Sequence, residues 1–234
     1  MRHSLTATLL TTICLATPAM ATSVLFDFNN APQYTPLPIA LTVGGITASF
    51  SATGQGYSIQ QAGVLGFTPV GFSGNCIYPS SVFAADLLVG FSKKITDFSI
   101  LYAVEEYDCD SSATMKVTAY MNGALVGSNT AVAEPGTWPS ATLSCTFPQG
   151  FNSVVVHYQS PPPTGGDWGP VFMADNMSVT PAPPPTADLN GDGVVNGADL
   201  GLLLGAWGTA GADLNGDGVT DGGDLGSLLA VWTG

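Results

Sequence analysis

The sequence predicts a mostly-β chain, with an antiparallel β-sandwich of jelly-roll type over residues 22–180 and a small all-α, two-helix module over residues 188–234. Three observations predict this division. Apolar and polar residues alternate repeatedly between residues 23 and 180, which is the period of half-buried strands. No long helical pattern interrupts that stretch. After residue 188 the apolar period becomes helical, and it does so twice at a spacing of 25 residues.

Two hairpins are predicted within the sandwich. Residues 39–43 and 46–50 alternate on either side of Gly44-Gly45, and residues 115–121 lead into Asn122-Gly123, both of which favour tight two-residue turns. The other alternating apolar positions are Phe98, Ile100, Tyr102, Val104, Val154, Val156, Tyr158, Val171, Met173, Met177 and Val179. About ten short strands with frequent turns are typical of a sandwich.

The C-terminal module repeats a twelve-residue loop, 188–199 and 213–224. Positions 1, 3, 5, 9 and 12 carry short oxygen-bearing side chains, and position 7 can offer its backbone carbonyl. In the first loop these ligands are Asp188, Asn190, Asp192, Val194, Asn196 and Asp199; in the second they are Asp213, Asn215, Asp217, Val219, Asp221 and Asp224. Ca²⁺ takes six to eight oxygen ligands, and this is the ligand spacing of an EF-hand loop. The sequence therefore predicts two Ca²⁺ ions, against the alternative of an acidic, glycine-rich linker.

Each loop is followed by one apolar helical face. Its members lie at i, i+3, i+4 and i+7: Leu200, Leu203, Leu204 and Trp207, then Leu225, Leu228, Leu229 and Trp232. The unit is thus loop then helix, without a helix before the loop. In this respect, and in ending each loop with Asp, residues 188–232 resemble the dockerin type I family.

The resemblance implies a calcium-folded plug that docks onto a cohesin-like domain or another protein of a scaffold or cell surface. The chain departs from the family at loop positions 10 and 11, where it carries Gly197-Ala198 and Gly222-Gly223. The alternative is a calcium-stabilised C-terminal cap that has no partner.

Charge supports a cation in the module and excludes some partners. From residue 186 onward there are seven Asp and no Lys or Arg, so that repulsion opposes folding without cations. The whole chain has a formal net charge of −13, and its basic residues after residue 21 are Lys93, Lys94 and Lys116. This balance argues against nucleic acid or an anionic membrane surface as partner.

Two further segments are predicted from composition. Residues 1–21 have the charged start, short apolar run and Ala19-Met20-Ala21 ending of a secretory signal peptide, so we expect a secreted, extracellular protein, soluble or associated with the cell surface. Later segments lack the roughly 18 uninterrupted apolar residues of a membrane span. Residues 181–187 are proline-rich and predict a semi-rigid linker of roughly 20 Å that holds the module away from the sandwich.

The sandwich itself resembles secreted bacterial β-sandwich domains and jelly-roll carbohydrate-binding modules. The resemblance rests on Phe26-Asp27-Phe28, on the hairpin from Ala119-Tyr120 to Asn122-Gly123, and on Asp175-Asn176-Met177. It offers Asp27 and Asp175 as candidates for a third Ca²⁺, but we favour the alternative that they are ordinary edge or turn carboxylates.

Three cysteines remain after the predicted cleavage, Cys76, Cys109 and Cys145. Export permits a disulfide. Cys76 and Cys109 have polar, loop-like neighbours, whereas Cys145 alternates with Leu143 and Phe147 and is expected to face the core. We predict a Cys76–Cys109 bridge.

The sequence favours a non-catalytic sandwich, and we assign no catalytic residue. His157 is expected to face outward from a strand, and the acidic cluster Glu105, Glu106, Asp108 and Asp110 is expected at a turn. If the domain is an enzyme, a glycosidase-type polysaccharide-degrading activity is the first choice, since such enzymes use paired carboxylates. A carbohydrate-binding module is the related alternative, since sugar rings stack on exposed aromatic side chains. The candidates for stacking are Tyr57, Tyr78, Tyr120, Trp138 and Trp168.

Overall fold

The computed structural model describes residues 22–64, 66–104, 114–133, 138–159, 171–182, 187–192 and 194–233. Within these ranges the chain forms ten β-strands followed by two α-helices. In order they are β1 (Val24–Phe26), β2 (Ile39–Val43), β3 (Ile46–Ala52), β4 (Tyr57–Gln61), β5 (Asn75–Pro79), β6 (Leu87–Val104), β7 (Thr114–Met121), β8 (Ala124–Ala131), β9 (Ser140–Gln159), β10 (Phe172–Pro181), α1 (Gly197–Gly205) and α2 (Gly222–Ala230).

Two long strands, β6 and β9, belong to both layers of the sandwich. The first part of β6 pairs with β3 and its second part with β10, while β9 pairs with β6 along both parts. The register between β6 and β9 shifts at Gly90, Ile95 and Asp97. One layer is therefore β2-β3-β6-β9-β7-β8 and the other is β4-β5-β10-β6-β9, with β1 on β10. The expectation of ten short strands is wrong for these two, which have 18 and 20 residues, because each continues through a bend.

The core fills the space between the layers. It contains Phe26 and Phe50, whose rings meet edge to face at a centroid distance of 6.3 Å, and the alternating residues of β6, β7 and β9 that the sequence indicated. Every strand pairing among the described residues is antiparallel. The predicted mostly-β antiparallel sandwich with two short helices is confirmed, and so are both hairpins, with Val43 opposite Ile46 and Met121 opposite Ala124.

The sandwich has two distinct ends. At one, which we call the bend end, lie the bends of β6 and β9 and the turns Gly44-Gly45 and Asn122-Gly123. At the other, which we call the strand end, β6 and β9 both begin and finish, β7 and β10 begin, and β8 finishes. The chain leaves the sandwich at the bend end, where Pro181 of β10 lies opposite Ile95.

The two loop–helix repeats pack around a small core of their own. Leu203 and Leu228 are fully buried there, together with Ala212 and Leu214. The repeats are tied crosswise: the residues that follow α2 bond to Val195 of the first loop, and those that follow α1 bond to Thr220 of the second. None of the helices among the described residues is long and apolar enough to cross a membrane.

The predicted apolar face of each helix is only half correct. The first two positions of each face point into the module, but Leu204 and Leu229 are 53% and 52% exposed. The helices end at Gly205 and Ala230, so Trp207 and Trp232 lie beyond them and are also exposed. With helices of nine residues, the i+7 position falls after the last turn.

The prediction that the linker holds the module away from the sandwich is wrong. Pro181 is the last residue of β10, and the N–H of Ala182 donates to Lys94 O at 2.8 Å. The N–H of Lys94 in turn donates to Gly216 O of the second loop at 2.6 Å. The bend of β6 leaves Lys94 without a strand partner in the register, so its backbone groups take the linker and the loop instead. Residues 183–186 lie outside the described ranges.

Candidate metal centre

The carboxylate at position 1 of each loop accepts hydrogen bonds from the backbone of the same loop. In the second loop, Asp213 Oδ1 accepts hydrogen bonds from the N–H groups of positions 4 and 5 at 2.7 and 3.0 Å, and Asp213 Oδ2 accepts one from position 6 at 2.8 Å. In the first loop, Asp188 Oδ1 accepts from positions 4 and 5 at 2.8 and 3.1 Å. The glycines at position 4, Gly191 and Gly216, have φ of 74° and 78°, a backbone region that glycine adopts readily.

Positions 3 and 5 form the next turn in the same way in both loops. Oδ1 of Asn190 and of Asn215 accepts the N–H of position 5 at 2.9 Å, and Nδ2 donates to Oδ2 of position 5 at 2.8 and 3.0 Å. Oδ1 of Asp192 and of Asp217 accepts the N–H of position 7 at 2.9 and 3.0 Å. The side chains at positions 3 and 5 thus each bond to the backbone two residues further along the loop.

Positions 9 and 12 connect each loop to its helix. Asn196 and Asp221 are the N-caps of α1 and α2, and each accepts the N–H of position 11 at 2.7 Å. Asp199 and Asp224 stand at the third helical position and close the capping box. An acidic side chain here also interacts favourably with the positive end of the helix dipole.

The carboxylates at position 12 are buried and accept hydrogen bonds from the backbone of their own loops. Asp224 Oδ1 accepts the N–H groups of positions 2 and 3 at 2.6 and 2.9 Å, and Oδ2 accepts that of position 9 at 2.7 Å. Asp199 makes the same three bonds at 2.7, 3.1 and 2.9 Å, and both residues are fully buried. Donation from Asn196, and then from the start of the loop, holds the pKa of the Asp199 carboxyl below its usual value, so this group is anionic at neutral pH.

The donor set fits a calcium ion. Each loop offers carboxylate, amide and backbone oxygens, and oxygen is the ligand atom that Ca²⁺ takes. A carboxylate oxygen has about two acceptor directions. Oδ1 at positions 1 and 12 already receives two N–H groups, so Oδ2 is the atom of these residues that can still face a cation. Among the described residues, no three Asp, Glu, His or Cys side chains come together as a ready-made metal cluster, although the second loop has four Asp. The predicted ligand sets also include Asn and main-chain oxygens.

Asp27 and Asp175 lie at a second acidic position, in the sandwich. Asp175 is fully buried in β10, where its oxygens accept the N–H groups of Ser73 at 3.2 Å and Asn176 at 2.7 Å. Burial raises the pKa of Asp175 to about 6, and the charge of Asp27 adds to that rise. The third ion at these two carboxylates stays a prediction.

The structure corrects two predicted environments. Cys76 lies in strand β5 and is fully buried, not in a polar loop, and burial raises the pKa of its thiol to about 12. Cys76 is a free thiol in the structure, which does not bear out the predicted bridge to Cys109; Cys109 itself lies outside the described residues. Tyr57 is also buried, with its hydroxyl donating to Ala85 O at 2.7 Å, so it offers no exposed ring. Cys145, by contrast, faces the core as expected.

Of the other candidates, His157 faces outward on β9 as expected, and its Nδ1 lies 2.6 Å from Asp86 Oδ1, a pair that alternation alone does not reveal. Trp138 is half-buried and its ring centroid lies 6.3 Å from that of Phe67, which is exposed. Tyr78 and Tyr120 are half-buried in β5 and β7. Three predicted features lie outside the described ranges: the signal peptide at 1–21, the acidic cluster at 105–110, and Trp168.

Comparisons with known proteins do not assign the chain to a family. No family model matches it, and no curated protein matches it. Among solved structures, it is similar to the K2 cleaved adhesin domain of Lys-gingipain, at 13% identity and a TM-score of 0.45, over 68% of this chain and 99% of that one. It is also similar to CsCBM6-3 from Clostridium stercorarium, solved with cellobiose, at 14% identity and a TM-score of 0.33, over 56% and 87% of the two chains. A family 35 carbohydrate-binding module from Clostridium thermocellum matches at 17% identity and a TM-score of 0.32, over 69% and 100%. These likenesses are too distant to assign a function.

Proposed function

We propose that this is an exported, calcium-binding protein whose C-terminal module tethers a non-catalytic binding sandwich to a partner on an extracellular or cell-surface assembly. The observation that carries the proposal is the pair of loop–helix repeats in which the ligand positions 9 and 12 are also the caps of the helices. Ion binding and helix position are thereby joined in one small unit.

Calcium binding is supported by burial of like charges. Asp199, Asp213 and Asp224 are almost completely buried in a module that has no basic side chain. Placing several carboxylates in so small a unit is unfavourable unless a cation is bound. If calcium is bound, Asp188 to Asp199 and Asp213 to Asp224 are the two loops that hold it.

Tethering is supported by apolar side chains that the module leaves in solvent. Leu204, Trp207, Leu229 and Trp232 are 53%, 48%, 52% and 37% exposed. A unit of fewer than 50 residues with that much apolar surface has a face suited to a protein partner. A cohesin-like domain is the first candidate for that partner.

A carbohydrate-binding role for the sandwich is the second candidate function, and one contact favours it. Phe67 and Trp138 form a tilted aromatic pair, and Phe67 is 43% exposed. Trp138 lies two residues before β9, at the strand end, opposite the end where the module is docked. A sugar ring could stack on the exposed side of this pair while the module engages its own partner.

The proposal is tested on the full mature chain, residues 22–234. We expect the immobilised chain to retain a cohesin-type or surface protein in Ca²⁺ but not in chelator, and the double variant Leu204→Ser, Leu229→Ser to lose that partner while still binding calcium. Retention of the partner protein that is unchanged both by chelator and by the double variant would refute tethering. For the sandwich, Phe67→Ala should reduce retention on immobilised polysaccharide, whereas Val70→Ala, at a more exposed apolar side chain of the same segment, should not.

A further inference from the structure

The second calcium loop lies against the bend end of the sandwich through two hydrogen bonds. The N–H of Lys94 donates to Gly216 O at 2.6 Å, and Asn122 Nδ2 donates to Gly218 O at 3.2 Å. Both acceptors are carbonyls of the loop, at positions 4 and 6. The contact therefore holds the backbone of the loop.

One of the two donors, the side chain of Asn122, is held in place by other groups of the sandwich. Asn122 is the first residue of the turn between β7 and β8, with φ of 50°. Its N–H donates to Asn152 Oδ1 at 3.0 Å, and its Oδ1 accepts from Asn152 Nδ2 at 2.6 Å. These two bonds fix the amide so that Nδ2 is directed at the loop, which reduces the entropy lost on docking.

The first six residues of the two loops are identical in sequence, but their surroundings differ. Residues 188–193 and 213–218 both read Asp-Leu-Asn-Gly-Asp-Gly. Yet Asp213 is buried and Asp188 only half-buried, and Gly216 is half-buried whereas Gly191 is exposed. Because the residues are identical, the difference comes from the position of the second loop against the sandwich and within the module.

We propose that Ca²⁺ binding at the second loop is coupled to docking of the module on the sandwich, so that the ion fastens the two parts together. This inference rests on the calcium binding of the proposed function. The sandwich holds positions 4 and 6 in the shape that surrounds the ion, which lowers the ordering cost of binding. By linkage, the bound ion stabilises the docked arrangement by the same factor. In the first repeat, Gly191, which corresponds to Gly216, is exposed, and Gly193, which corresponds to Gly218, lies outside the described residues.

The test separates the two loops within the full mature chain. Asp192→Ala removes a predicted calcium ligand from the first loop, and Asp217→Ala removes one from the second. Each background therefore keeps one loop site. Into both we introduce Asn122→Gly, which removes the amide donor but keeps a residue suited to positive φ. Asn129→Ala is the matched control, because its side chain donates to Ser144 O at 2.8 Å, within the sandwich.

Calorimetric titration with CaCl₂ should show that Asn122→Gly weakens binding roughly fivefold in the Asp192→Ala background, as expected for loss of one hydrogen bond. In the Asp217→Ala background, Asn122→Gly should leave the calcium affinity unchanged. Asn129→Ala should leave it unchanged in both backgrounds. As a second readout, Ca²⁺ should raise the unfolding midpoint of the sandwich, followed by near-UV circular dichroism, in Asp192→Ala and not in Asp217→Ala. Calcium binding that is indifferent to Asn122→Gly, or equal effects in both backgrounds, would overturn the coupling alone. Absence of calcium binding in both backgrounds would overturn the proposed function with it.

Discussion

Replacing Asp175 with Asn should change how the stability of the sandwich depends on pH. The carboxyl group is fully buried in β10, and it accepts backbone N–H groups from Ser73 and Asn176. Burial dominates over these bonds and raises its pKa from 3.8 to about 6. The neutral form is therefore favoured in the folded protein relative to the unfolded chain.

The sign follows from proton binding. Between about pH 4 and pH 6 the folded state holds a proton that the unfolded state has released, so stability falls as pH rises through this window. Above about pH 6 both states are ionised and the contribution is constant. A shift of about two pKa units corresponds to roughly 3 kcal/mol, which we take as the upper limit of the loss of unfolding free energy across the window.

The assay is urea denaturation of the mature chain in chelator, followed by near-UV circular dichroism at several pH values from about 4 to 8. The difference in unfolding free energy between wild type and Asp175→Asn is the quantity to plot. It should move by up to roughly 3 kcal/mol in favour of the variant as pH rises, whatever its value at low pH. Asp97→Asn is the matched control: it changes another carboxyl of the sandwich, which accepts hydroxyls of Thr96 and Thr146, and leaves Asp175 in place.

A difference that stays constant from about pH 4 to pH 8 would refute the reasoning, because Asp175 would then have the same pKa in both states. The same series in Ca²⁺ tests the third ion. Binding at Asp27 and Asp175 would favour the ionised carboxyl and reduce the slope.

Two further predictions concern burial. Leu203→Ala should destabilise the module by about 2–5 kcal/mol, because Leu203 is fully buried, whereas its exposed neighbour Leu204→Ala should cost little; calcium-dependent far-UV circular dichroism measures both, and equal losses would contradict the assigned face. Buried Cys76 and Cys145, whose thiols have pKa values raised to about 12, should not react with a thiol reagent at neutral pH until the protein unfolds. Both are free thiols in the structure, so both should react once the protein unfolds without reductant; a Cys76 that stayed unreactive would point instead to the bridge with Cys109.

Much of the fold could be predicted because a strand repeats every two residues. The buried positions of β3, β7 and the late part of β9 follow directly from that period, and the tight turns follow from Gly44-Gly45 and Asn122-Gly123. The continuity of β6 through its bend could not be predicted. Residues 92–94 break the alternation there, and a break of that kind is equally consistent with a loop between two strands.

The two twelve-residue loops could be recognised in the sequence because their candidate ligands are close along the chain, and calcium binding at them stays a prediction. The docking of the second loop could not be predicted, since Lys94 and Asn122 are remote from it along the chain and contact it through backbone carbonyls. The environment of Cys76 was missed for a related reason. Its polar neighbours Ser73, Gly74 and Asn75 suggest a loop, but Asn75 begins β5 and pairs with Gln61 of β4.

The most direct test is the number of calcium ions bound by the mature chain, measured by equilibrium dialysis with metal analysis. The two loops predict two ions, one ion each for Asp188→Ala and Asp213→Ala, and loss of both loop ions in the double variant; an ion that remained would be assigned to the predicted Asp27–Asp175 site and should be lost on Asp175→Asn. A chain that binds no calcium, or whose bound calcium is unchanged by either single substitution, would contradict the account.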